Sequence, residues 1–512
     1  MLLLSIDIGT ESLRAGLVAP DGNVLATAHQ SYPTRFPLPK WAEQDPEDWW
    51  QAAQIAVPAC LSRAGVSPRD VAAIGLDAFA STLVAADAQG RPLRPAILWM
   101  DTRATAEAEA IEQTGDPVLQ YGGGRESVEW MLPRLLWLKR NEPQVFTAAR
   151  WLVEALDWFT YRLTGEWTLS LCQLTDLWHY VPSLGGWPHS LLSAIGLEQA
   201  QAKWPERILA IGDRAGTLTP EAADALGLAA GIPVAAGGID AHVGLLGLDA
   251  LQPGQLGLIL GSSSVQLTQT ERPVFDPAFW GPFEDTVLRG RWMLEMGQVS
   301  TGSILRWYKD NMAPPSVHDE AAARRMSVYA YLDSLADQLA PGSEGLIALD
   351  YWQGNRTPLR DPLARGALVG LTLFHTPGHV YRALLESAAF GNRHILEALD
   401  QAGVHIREIR ASGGGARSEV WLQMHADTAN TRVTVTSSED ACLVGCAVAA
   451  SACLGLYPDL VTAASQMVRP VRTYDPDPQR HAAYGPAYSL YRDLYPAVRP
   501  IMHRIAAGSG RP

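Results

Sequence analysis

The sequence predicts an α/β fold built from two related halves. Apolar runs typical of buried strands alternate with amphipathic helical patterns along the 512 residues, which is the pattern of α/β proteins. Each half opens with a strand, a turn of small residues and a returning strand, at residues 2–19 and again at residues 255–268. A chain of this length is too long for one hydrophobic core. We therefore expect one domain over residues 1–249 and a second over residues 250–512.

The first hairpin has the composition of a metal and nucleotide site. Its apolar first strand carries one charged residue, Asp7, near its end, and Gly9–Thr10 forms a tight turn before the second strand. The N–H groups of such a turn can point at phosphate oxygens, and a strand-end carboxylate can hold Mg²⁺ or its waters. An ordinary hairpin with a surface acid gives the same local pattern, so the rest of the chain has to decide.

The other elements follow from turn residues and periodicity. Further strands are predicted at residues 24–31, 71–76, 82–86, 96–99, 232–236, 255–260, 265–268 and 408–411. Helices are predicted at residues 46–64, across 131–165 with a break at Pro143, and at 303–309, 380–399 and 418–429. Only a short helical tail is expected after Ala450, and disorder after Gly508.

Composition excludes several classes of function. A formal charge of −14 argues against a nucleic-acid or anionic-membrane surface, but not against ATP, whose site depends on Mg²⁺ and a few local cations. No run of about eighteen apolar residues predicts a membrane span, and the first residues lack the basic region of a signal peptide. The five scattered cysteines, including Cys442 and Cys446, favour buried thiols over metal ligands or disulfides. A cytoplasmic protein fits best.

Four turns of small residues stand out, and two of them adjoin strand-end acids. They are Gly9–Thr10, Gly237–Gly238, Gly261–Ser264 and Gly413–Gly415. Asp240, which follows two glycines and a strand, is positioned to accept a proton from a hydroxyl that attacks phosphorus. It could equally cap the helix that begins after it, and the two roles are compatible.

These residues resemble the FGGY family of carbohydrate kinases, a branch of the actin-like ATPase superfamily. The similarity extends from Asp7 to about Tyr457, and its most specific segments are 411–417 and 99–103, the second a Trp-x-Asp-x-Arg motif. Other matching segments are 7–10, 135–139, 162–166, 238–240, 261–263, 421–423 and 426–427. The resemblance implies two actin-like (ribonuclease H-like) domains with a nucleotide and sugar cleft between them.

The resemblance also implies a role for each matching residue. Asp7 would hold Mg²⁺, and Asp240 would be the general base for the sugar hydroxyl. The ATP phosphates would contact two loops, with Arg14 near the transferred phosphate: Gly9, Thr10, Ser12, Gly261, Ser262 and Ser263. The adenosine would lie against Gly302, Gly414, Gly415 and Arg417.

The sugar side is less closely defined. Trp99 and Asp101 would lie in or beside the sugar pocket, with Arg103 orienting Asp101. Xylulokinases typically carry Gln-Met-His where this chain reads Asp77-Ala-Phe-Ala-Ser-Thr82, so Ser81 stands in place of the histidine. That segment looks more like the ribulokinase branch, which implies ribulose as first choice and xylulose or a pentitol as alternatives. Glu129 is either a sugar contact or a surface acid.

Three functions are weighed. A sugar kinase needs a metal carboxylate and a separate base, which Asp7 and Asp240 supply. An actin-like ATPase without a sugar substrate would share the phosphate loops but usually adds a peptide-binding domain or filament surfaces. A non-catalytic sugar sensor would be expected to have lost one of these residues. We therefore predict a kinase that uses ATP and Mg²⁺ as cofactors and binds a small sugar or polyol as its partner. Whether it forms a homodimer is left open.

Overall fold

The structure, a computed structural model, describes residues 1–438 and 440–508, so the disorder predicted after Gly508 lies outside the described residues. The chain forms two compact units. The N-terminal unit contains residues 1–251, 270–294 and 440–469. The C-terminal unit contains residues 252–269 and 295–439 and the chain from residue 470, as far as these are described. The predicted domain division at residues 249 and 250 stays a prediction.

The first half of the chain supplies thirteen strands and nine helices among the described residues. The strands are β1 Leu2–Ile8, β2 Ser12–Val18, β3 Val24–Ser31, β4 Glu43–Gln44, β5 Val71–Ala78, β6 Leu83–Ala86, β7 Ala96–Ile97, β8 Trp151–Glu154, β9 Leu169–Ser170, β10 Ile208–Leu209, β11 Arg214–Thr217, β12 Pro233–Ala235 and β13 Gly238–Ile239. The helices are α1 Pro46–Ala64, α2 Thr105–Glu112, α3 Met131–Asn141, α4 Pro143–Ala148, α5 Ala155–Thr164, α6 Leu171–Leu177, α7 His189–Ala194, α8 Pro220–Leu226 and α9 Asp240–Leu248.

The second half continues the numbering. Its strands are β14 Gln255–Leu260, β15 Ser264–Thr270, β16 Trp280–Glu284, β17 Trp292–Gln298, β18 Ile347–Leu349, β19 Ala367–Val369, β20 Glu408–Ser412, β21 Arg432–Thr436 and β22 Pro470–Tyr474. Its helices are α10 Gly302–Asn311, α11 Pro315–Ala323, α12 Val328–Asp337, α13 Pro377–Gln401, α14 Glu419–Ala429, α15 Ala441–Cys453, α16 Leu460–Met467 and α17 Pro478–Gly508. None of these helices is long and apolar enough to cross a membrane.

The main sheet of the N-terminal unit has the order β11-β12-β5-β1-β2-β3, and β13 pairs with β5 outside that path. β1 runs antiparallel to β2 and parallel to β5. Every residue of β1 is buried, which explains its nearly continuous apolar sequence. Helix α1 packs against β2 and β3, while α15 packs against β1, β5 and α9. The unit also contains a sheet of order β4-β7-β6-β8 and a two-stranded sheet of β9 and β10.

The C-terminal unit repeats the opening arrangement of the first half. β14 is antiparallel to β15 and parallel to β20, as β1 is to β2 and β5. β20 is parallel to β21, which is antiparallel to β22. The internal repeat expected from the sequence is therefore present at the level of strand pairing.

Several predicted elements were wrong in extent or type. Residues 151–154 are strand β8 rather than helix, because they pair with β6. Gly238 lies in a short strand rather than in a turn, because it pairs with β5 opposite Asp77. β5 continues to Ala78, two residues beyond the predicted end. The chain after Ala450 is longer in helix than the predicted short tail, because it also contains α17, a helix of 31 residues. The internal prolines of α17, at 486, 496 and 500, are residues that normally argue against a helix.

Candidate active site

Sheet register places Arg14 beside Asp7, the predicted metal carboxylate. The two are direct cross-strand partners in β1 and β2. The guanidinium of Arg14 donates hydrogen bonds to Asp7 Oδ2 and Asp440 Oδ2 and so bridges the two carboxylates. Asp440 itself caps α15 by accepting a hydrogen bond from the N–H of Leu443 at 3.3 Å. Arg14, which the sequence placed near the transferred phosphate, is thus held by two acids of its own unit.

A third acid, Asp77, lies beside Asp7. It is opposite Asp7 in the β1–β5 pair, and Gly238 of β13 is opposite Asp77. Asp240 follows β13 by one residue, so three parallel strands deliver carboxylates to one edge of the sheet. Burial raises the pKa of Asp7 to about 7, although Arg14 opposes the shift. Burial, with Asp7 and Asp240 adding to it, raises the pKa of Asp77 well above its usual value.

Asp240 is the first residue of α9 and is half-buried. Its Oδ1 accepts a hydrogen bond from the N–H of Ala241 at 2.6 Å, while Ile239 occupies the formal cap position. The positive end of the helix dipole also favours its ionised form. Burial nevertheless raises the pKa of Asp240 above the ordinary aspartate value. A carboxylate in this position can stabilise the helix and still accept a proton.

The residues around Asp7 fit a hard divalent cation. Asp7 Oδ1 and both oxygens of Asp77 are buried and, among the described residues, accept no hydrogen bond from a nitrogen or an alcohol hydroxyl, while the two carboxyl groups lie within hydrogen-bonding reach of each other. The weak thiol donor of Cys446 is the group beside Asp77. Carboxylate oxygens are the ligands that Mg²⁺ prefers. Asp7, Asp440 and Cys442 offer donor atoms within 4.8 Å of one another, but the sulfur is a poor Mg²⁺ ligand.

The first candidate phosphate loop is anchored from several sides. Gly9 closes it by donating its N–H to the carbonyl oxygen of Ser12 at 3.1 Å. The indole N–H of Trp99 donates to Thr10 Oγ1 at 3.0 Å, and Gln44 Nε2 donates to the Thr10 carbonyl at 2.7 Å. The Tyr32 hydroxyl donates to the carbonyl of Gly9. Trp99, which was predicted to lie beside the sugar, is therefore hydrogen-bonded directly to the candidate phosphate loop.

Asp101 and Arg103 form a closed buried pair. Arg103 donates from Nε and Nη2 to the carboxylate of Asp101, whose Oδ2 also accepts the N–H of Ala42 at 2.6 Å. The guanidinium carbon of Arg103 lies 3.6 Å from the ring centre of Trp41. Both carboxylate oxygens of Asp101 therefore already accept hydrogen bonds from groups of the protein itself. Arg103 thus binds and orients Asp101.

The remaining sugar candidates differ in environment. Ser81 is 2% exposed, has a left-handed φ of 53°, and its hydroxyl has no hydrogen-bond partner among the described residues. Glu129 is half-buried, and its backbone carbonyl oxygen accepts a hydrogen bond from the buried side chain of Arg134.

The second candidate phosphate loop lies in the C-terminal unit. Gly261 donates its N–H to the Ser263 carbonyl at 2.8 Å, which closes the loop between β14 and β15. Gly302, at the start of α10, donates to the carbonyl of Gly261 at 3.1 Å. A Cβ at Gly302 would lie 2.5 Å from that same oxygen, so only glycine allows the approach. The loop also holds Ser262, whose carbonyl accepts the N–H of Thr301 at 2.9 Å.

The triple glycine follows β20 in the same unit. Gly413 has a φ of 94°, which favours glycine, and residues Gly414–Arg417 form one 3₁₀ turn. A Cβ at Gly415 would lie 2.7 Å from the ring of Trp421, whereas one at Gly414 would meet no atom within 4 Å. The loop therefore has one packed glycine and one that faces open space.

Two family models match the chain in sequence order. The N-terminal domain of the FGGY family of carbohydrate kinases matches residues 2–247, and the C-terminal domain of the same family matches residues 256–454. The chain belongs to the FGGY family of carbohydrate kinases. It is a sugar kinase, and kinases of this family use ATP.

Individual relatives agree with the family models over nearly the whole chain. The ribulokinase of Geobacillus thermodenitrificans is 33% identical, covering 96% of this chain and 94% of its own length. The human FGGY carbohydrate kinase domain-containing protein is 33% identical, covering 96% of this chain and 95% of its own. The solved xylulose kinase from Rhodospirillum rubrum, at 28% identity and a TM-score of 0.85, covers 98% of this chain and 100% of that one. The predicted FGGY family and its two-domain α/β fold are confirmed.

Sequence reasoning about this FGGY kinase missed several buried polar residues in and around the site. Asp77 had the signal that identified Asp7, an acid near the end of an apolar strand, but was used only for its similarity to the ribulokinase branch. Asp440 and Cys442 had no local signal, because only the packing of α15 on the first sheet brings them to Arg14 and Asp7. Glu154 was hidden in the strand β8 that the periodicity missed.

Proposed function

We propose that the protein transfers a phosphoryl group from Mg·ATP to a terminal hydroxyl of a ketopentose, with ribulose as first choice. The observation that carries this proposal is the placement of Asp7 and Asp240 at one edge of the same sheet, next to Asp77. A metal carboxylate and a separate base are what transfer to a sugar hydroxyl requires. The 33% identity to a ribulokinase over nearly the full chain supports the substrate class.

Asp240 would accept the proton of the attacking hydroxyl, and Asp7 would hold Mg²⁺, directly or through water. The bound ion would neutralise charge on the phosphates. Backbone N–H groups of two loops would contact the phosphates: Gly9, Thr10, Ser12, Gly261, Ser262 and Ser263. Gly302, Gly414, Gly415 and Arg417 would line the adenosine site. Arg14, held by Asp7 and Asp440, would tune the charge at the metal site.

On the sugar side, Trp99, Ser81 and Glu129 would contact the substrate. Asp101 and Arg103 would shape the pocket, since the contacts of Asp101 are already made within the protein. Xylulose or a pentitol is the alternative substrate, supported by the likeness to a solved xylulose kinase at a TM-score of 0.85. We further propose a cytoplasmic location and a homodimer, the latter to be tested by measuring the molar mass in solution.

The test is ADP production by the purified protein with Mg·ATP against pentuloses, pentitols, glycerol and hexuloses. A sharp preference for one ribulose enantiomer is expected. A preference for xylulose would retain the kinase and discard ribulose. ADP release without sugar would favour an ATPase, and no turnover with any polyol would contradict the proposed function.

A further inference from the structure

The N–H groups of the second candidate phosphate loop point away from helix α10. The carbonyl of Gly261 accepts the N–H of Gly302 at 3.1 Å, and the carbonyl of Ser262 accepts the N–H of Ser303 at 3.0 Å. A trans peptide unit directs its C=O and its N–H to opposite sides. The N–H groups of Ser262 and Ser263, two exposed residues, are therefore directed to the side opposite α10.

Gln298 holds the residue at which this loop ends. Ser264 follows the loop at the start of β15, and its Oγ donates to Gln298 Oε1 at 3.1 Å. Gln266 Nε2 donates to the same oxygen at 3.2 Å. Gln298 Nε2 in turn donates to Asp350 Oδ2 at 2.9 Å and to the carbonyl of Ala388 at 3.0 Å. Because an amide group has two acceptor positions and two donor hydrogens, these four bonds fix the orientation of Gln298.

Asp350 connects Gln298 to the C-terminal helix α17. Its Oδ1 accepts a hydrogen bond from the hydroxyl of Tyr491 at 2.8 Å, and that hydroxyl lies 3.1 Å from the hydroxyl of Tyr351. Burial raises the pKa of Asp350 to about 6, and the bonds from Gln298 and Tyr491 oppose that shift. Buried hydrogen bonds therefore run from Ser264 through Gln298 and Asp350 to Tyr491, all within the C-terminal unit.

Helix α13 leaves room for these hydrogen bonds. Gly391 lies inside α13, and a Cβ there would be 2.3 Å from Gln298 Nε2 and 2.9 Å from Asp350 Oδ2. Glycine destabilises a helix interior relative to alanine. The space required by the bond between Gln298 and Asp350 explains why a glycine stands at this position.

We propose that Gln298 and Asp350 are positioning residues that fix Ser264 and thereby hold the N–H groups of Ser262 and Ser263 toward the phosphates of ATP. N–H groups that are already aimed at a phosphate bind it without the entropic cost of ordering the loop. The loop itself consists of glycine and serine, whose side chains are too small to order it by packing. This inference rests on the proposed function and adds to it the residues that fix its second phosphate loop.

The first experiment uses Gln298→Met, which keeps the length of the side chain and removes its hydrogen bonds. Calorimetry of the full-length protein without sugar compares Mg²⁺ with the non-hydrolysable ATP analogue AMP-PNP against adenosine, which has no phosphate. The Kd for Mg·AMP-PNP should rise by about 10-fold, and that for adenosine by less than about twofold. Glu166→Gln, at an exposed acid, should bind both ligands as the native protein does. Equal losses for the two ligands, or no loss for Mg·AMP-PNP, would overturn the proposal.

Tyr491→Phe keeps the proposal testable if Gln298→Met does not fold. It removes only the hydroxyl at the far end of the hydrogen bonds. Tyr488→Phe is its matched control, because the Tyr488 hydroxyl lies on the same helix but donates to Glu397 Oε2 at 2.6 Å. The Kd for Mg·AMP-PNP should rise by about threefold in Tyr491→Phe and stay native in Tyr488→Phe. Identical affinities in the two variants would exclude positioning through Tyr491 and Asp350.

Two substitutions of Asp350 test its role by conservative rescue. In Asp350→Asn the amide oxygen can accept from Gln298 while its N–H₂ group donates to the Tyr491 hydroxyl, so the affinity for Mg·AMP-PNP should stay near native. Asp350→Ala removes both partners and should raise the KM for ATP while the KM for the sugar is unchanged. A native KM for ATP in Asp350→Ala contradicts the proposal.

The native protein separates failure of the proposed function from failure of this inference. If it neither binds Mg·AMP-PNP nor phosphorylates any polyol, both fail. If it does both, and the Gln298, Tyr491 and Asp350 variants bind Mg·AMP-PNP as the native protein does, only the inference fails.

Discussion

Asp240 carries two interactions at the residue scale, and they can be separated chemically. Its Oδ1 accepts the N–H of Ala241 at the start of α9. A neutral amide oxygen can accept the same hydrogen bond, but an amide cannot take up the proton of a sugar hydroxyl.

Asp240→Asn should therefore keep the helix start and lose the base. We expect sugar-dependent turnover to fall by about 10²- to 10⁴-fold while the melting temperature changes little. Asp240→Ala should lose both turnover and some stability, because the acceptor for Ala241 is removed. Near-native turnover in Asp240→Asn, measured by ADP release, would show that another group is the base.

The cluster formed by Asp7, Asp77, Asp240 and Asp440 cannot be predicted from local sequence alone. Burial raises the pKa values of Asp7, Asp77 and Asp240, and Arg14 opposes each of these shifts. Like charge adds to the shift in only one direction within some pairs, since Asp240 raises the pKa values of both Asp7 and Asp77. An acid near a strand end can be recognised in the sequence, but its distance from another acid depends on register. Asp77 could have been predicted as part of the site from its strand position, whereas Asp440 could not.

At the scale of elements, helices α9 and α15 cross at unusually close range. A Cβ at Gly445 would lie 2.0 Å from the carbonyl oxygen of Val243, and one at Gly247 would lie 1.9 Å from that of Ala441. Two glycines therefore allow the backbones to touch. Since α9 begins with Asp240 and α15 follows Asp440, this crossing sets the position of both acids.

Gly445→Ala should destabilise the protein by about 1–3 kcal/mol, although the same change in a solvated helix stabilises it by about 1 kcal/mol. A loss of stability where a solvated helix would gain it is the result expected from the close crossing of the two helices. Thermal or urea unfolding measures it, and Cys453→Ala in the same helix serves as a control with a small expected effect. A stabilised Gly445→Ala protein would contradict the close approach.

The free energy of unfolding should depend on pH through Glu154 of strand β8. Burial raises the pKa of Glu154 to about 7 from the ordinary value of 4.5, although Trp178, Thr82 and Arg134 favour its ionised form. The folded state then binds this proton more tightly than the unfolded state does. Stability should fall as the pH rises from about 4.5 to about 7, by about 3 kcal/mol in total.

Glu154→Gln cannot ionise, so the free energy of unfolding should depend less on pH in this range than it does in the native protein. Denaturant unfolding between pH 5 and 8, buffered at constant ionic strength, measures the difference. Parallel curves for the two proteins would mean that Glu154 titrates near its ordinary value. The pKa of the nearby Asp157 is raised by burial and by the charge of Glu154, so its shift should also be smaller in Glu154→Gln, which changes the pH dependence in the same direction.

At the scale of the whole molecule, the predicted nucleotide residues are divided between the two compact units. Asp7 and the first phosphate loop belong to the N-terminal unit, and Gly261, Gly302 and Gly414 belong to the C-terminal unit. A nucleotide that binds the folded state raises stability by an amount set by its concentration and affinity, about 2.7 kcal/mol at a hundredfold excess over Kd.

Gly414→Ala tests the adenosine assignment without disturbing the fold. Because a Cβ there meets no protein atom within 4 Å, the melting temperature without nucleotide should stay native. The rise in melting temperature caused by Mg·ATP should be reduced, since the methyl group would enter the space assigned to adenosine. The Glu166→Gln protein should keep the full rise. A native rise in Gly414→Ala would place the adenosine elsewhere.

The sequence by itself determined the elements whose patterns are local. The hairpin of β1 and β2, helix α1, the second hairpin and the glycine turn after β20 were predicted because alternating polarity, helix caps and turn glycines lie within a few neighbouring residues. The family followed from the same short segments.

The tertiary structure decided what depends on contacts between distant segments. It paired the short strand β8 with β6, placed Asp77 opposite Asp7, and returned α15 to the first sheet with Asp440 beside Arg14. It also left Ser81 strained and its hydroxyl unpaired. These features arise from register and packing between parts of the chain far apart in sequence, and such interactions leave no periodic signal in the residues that make them.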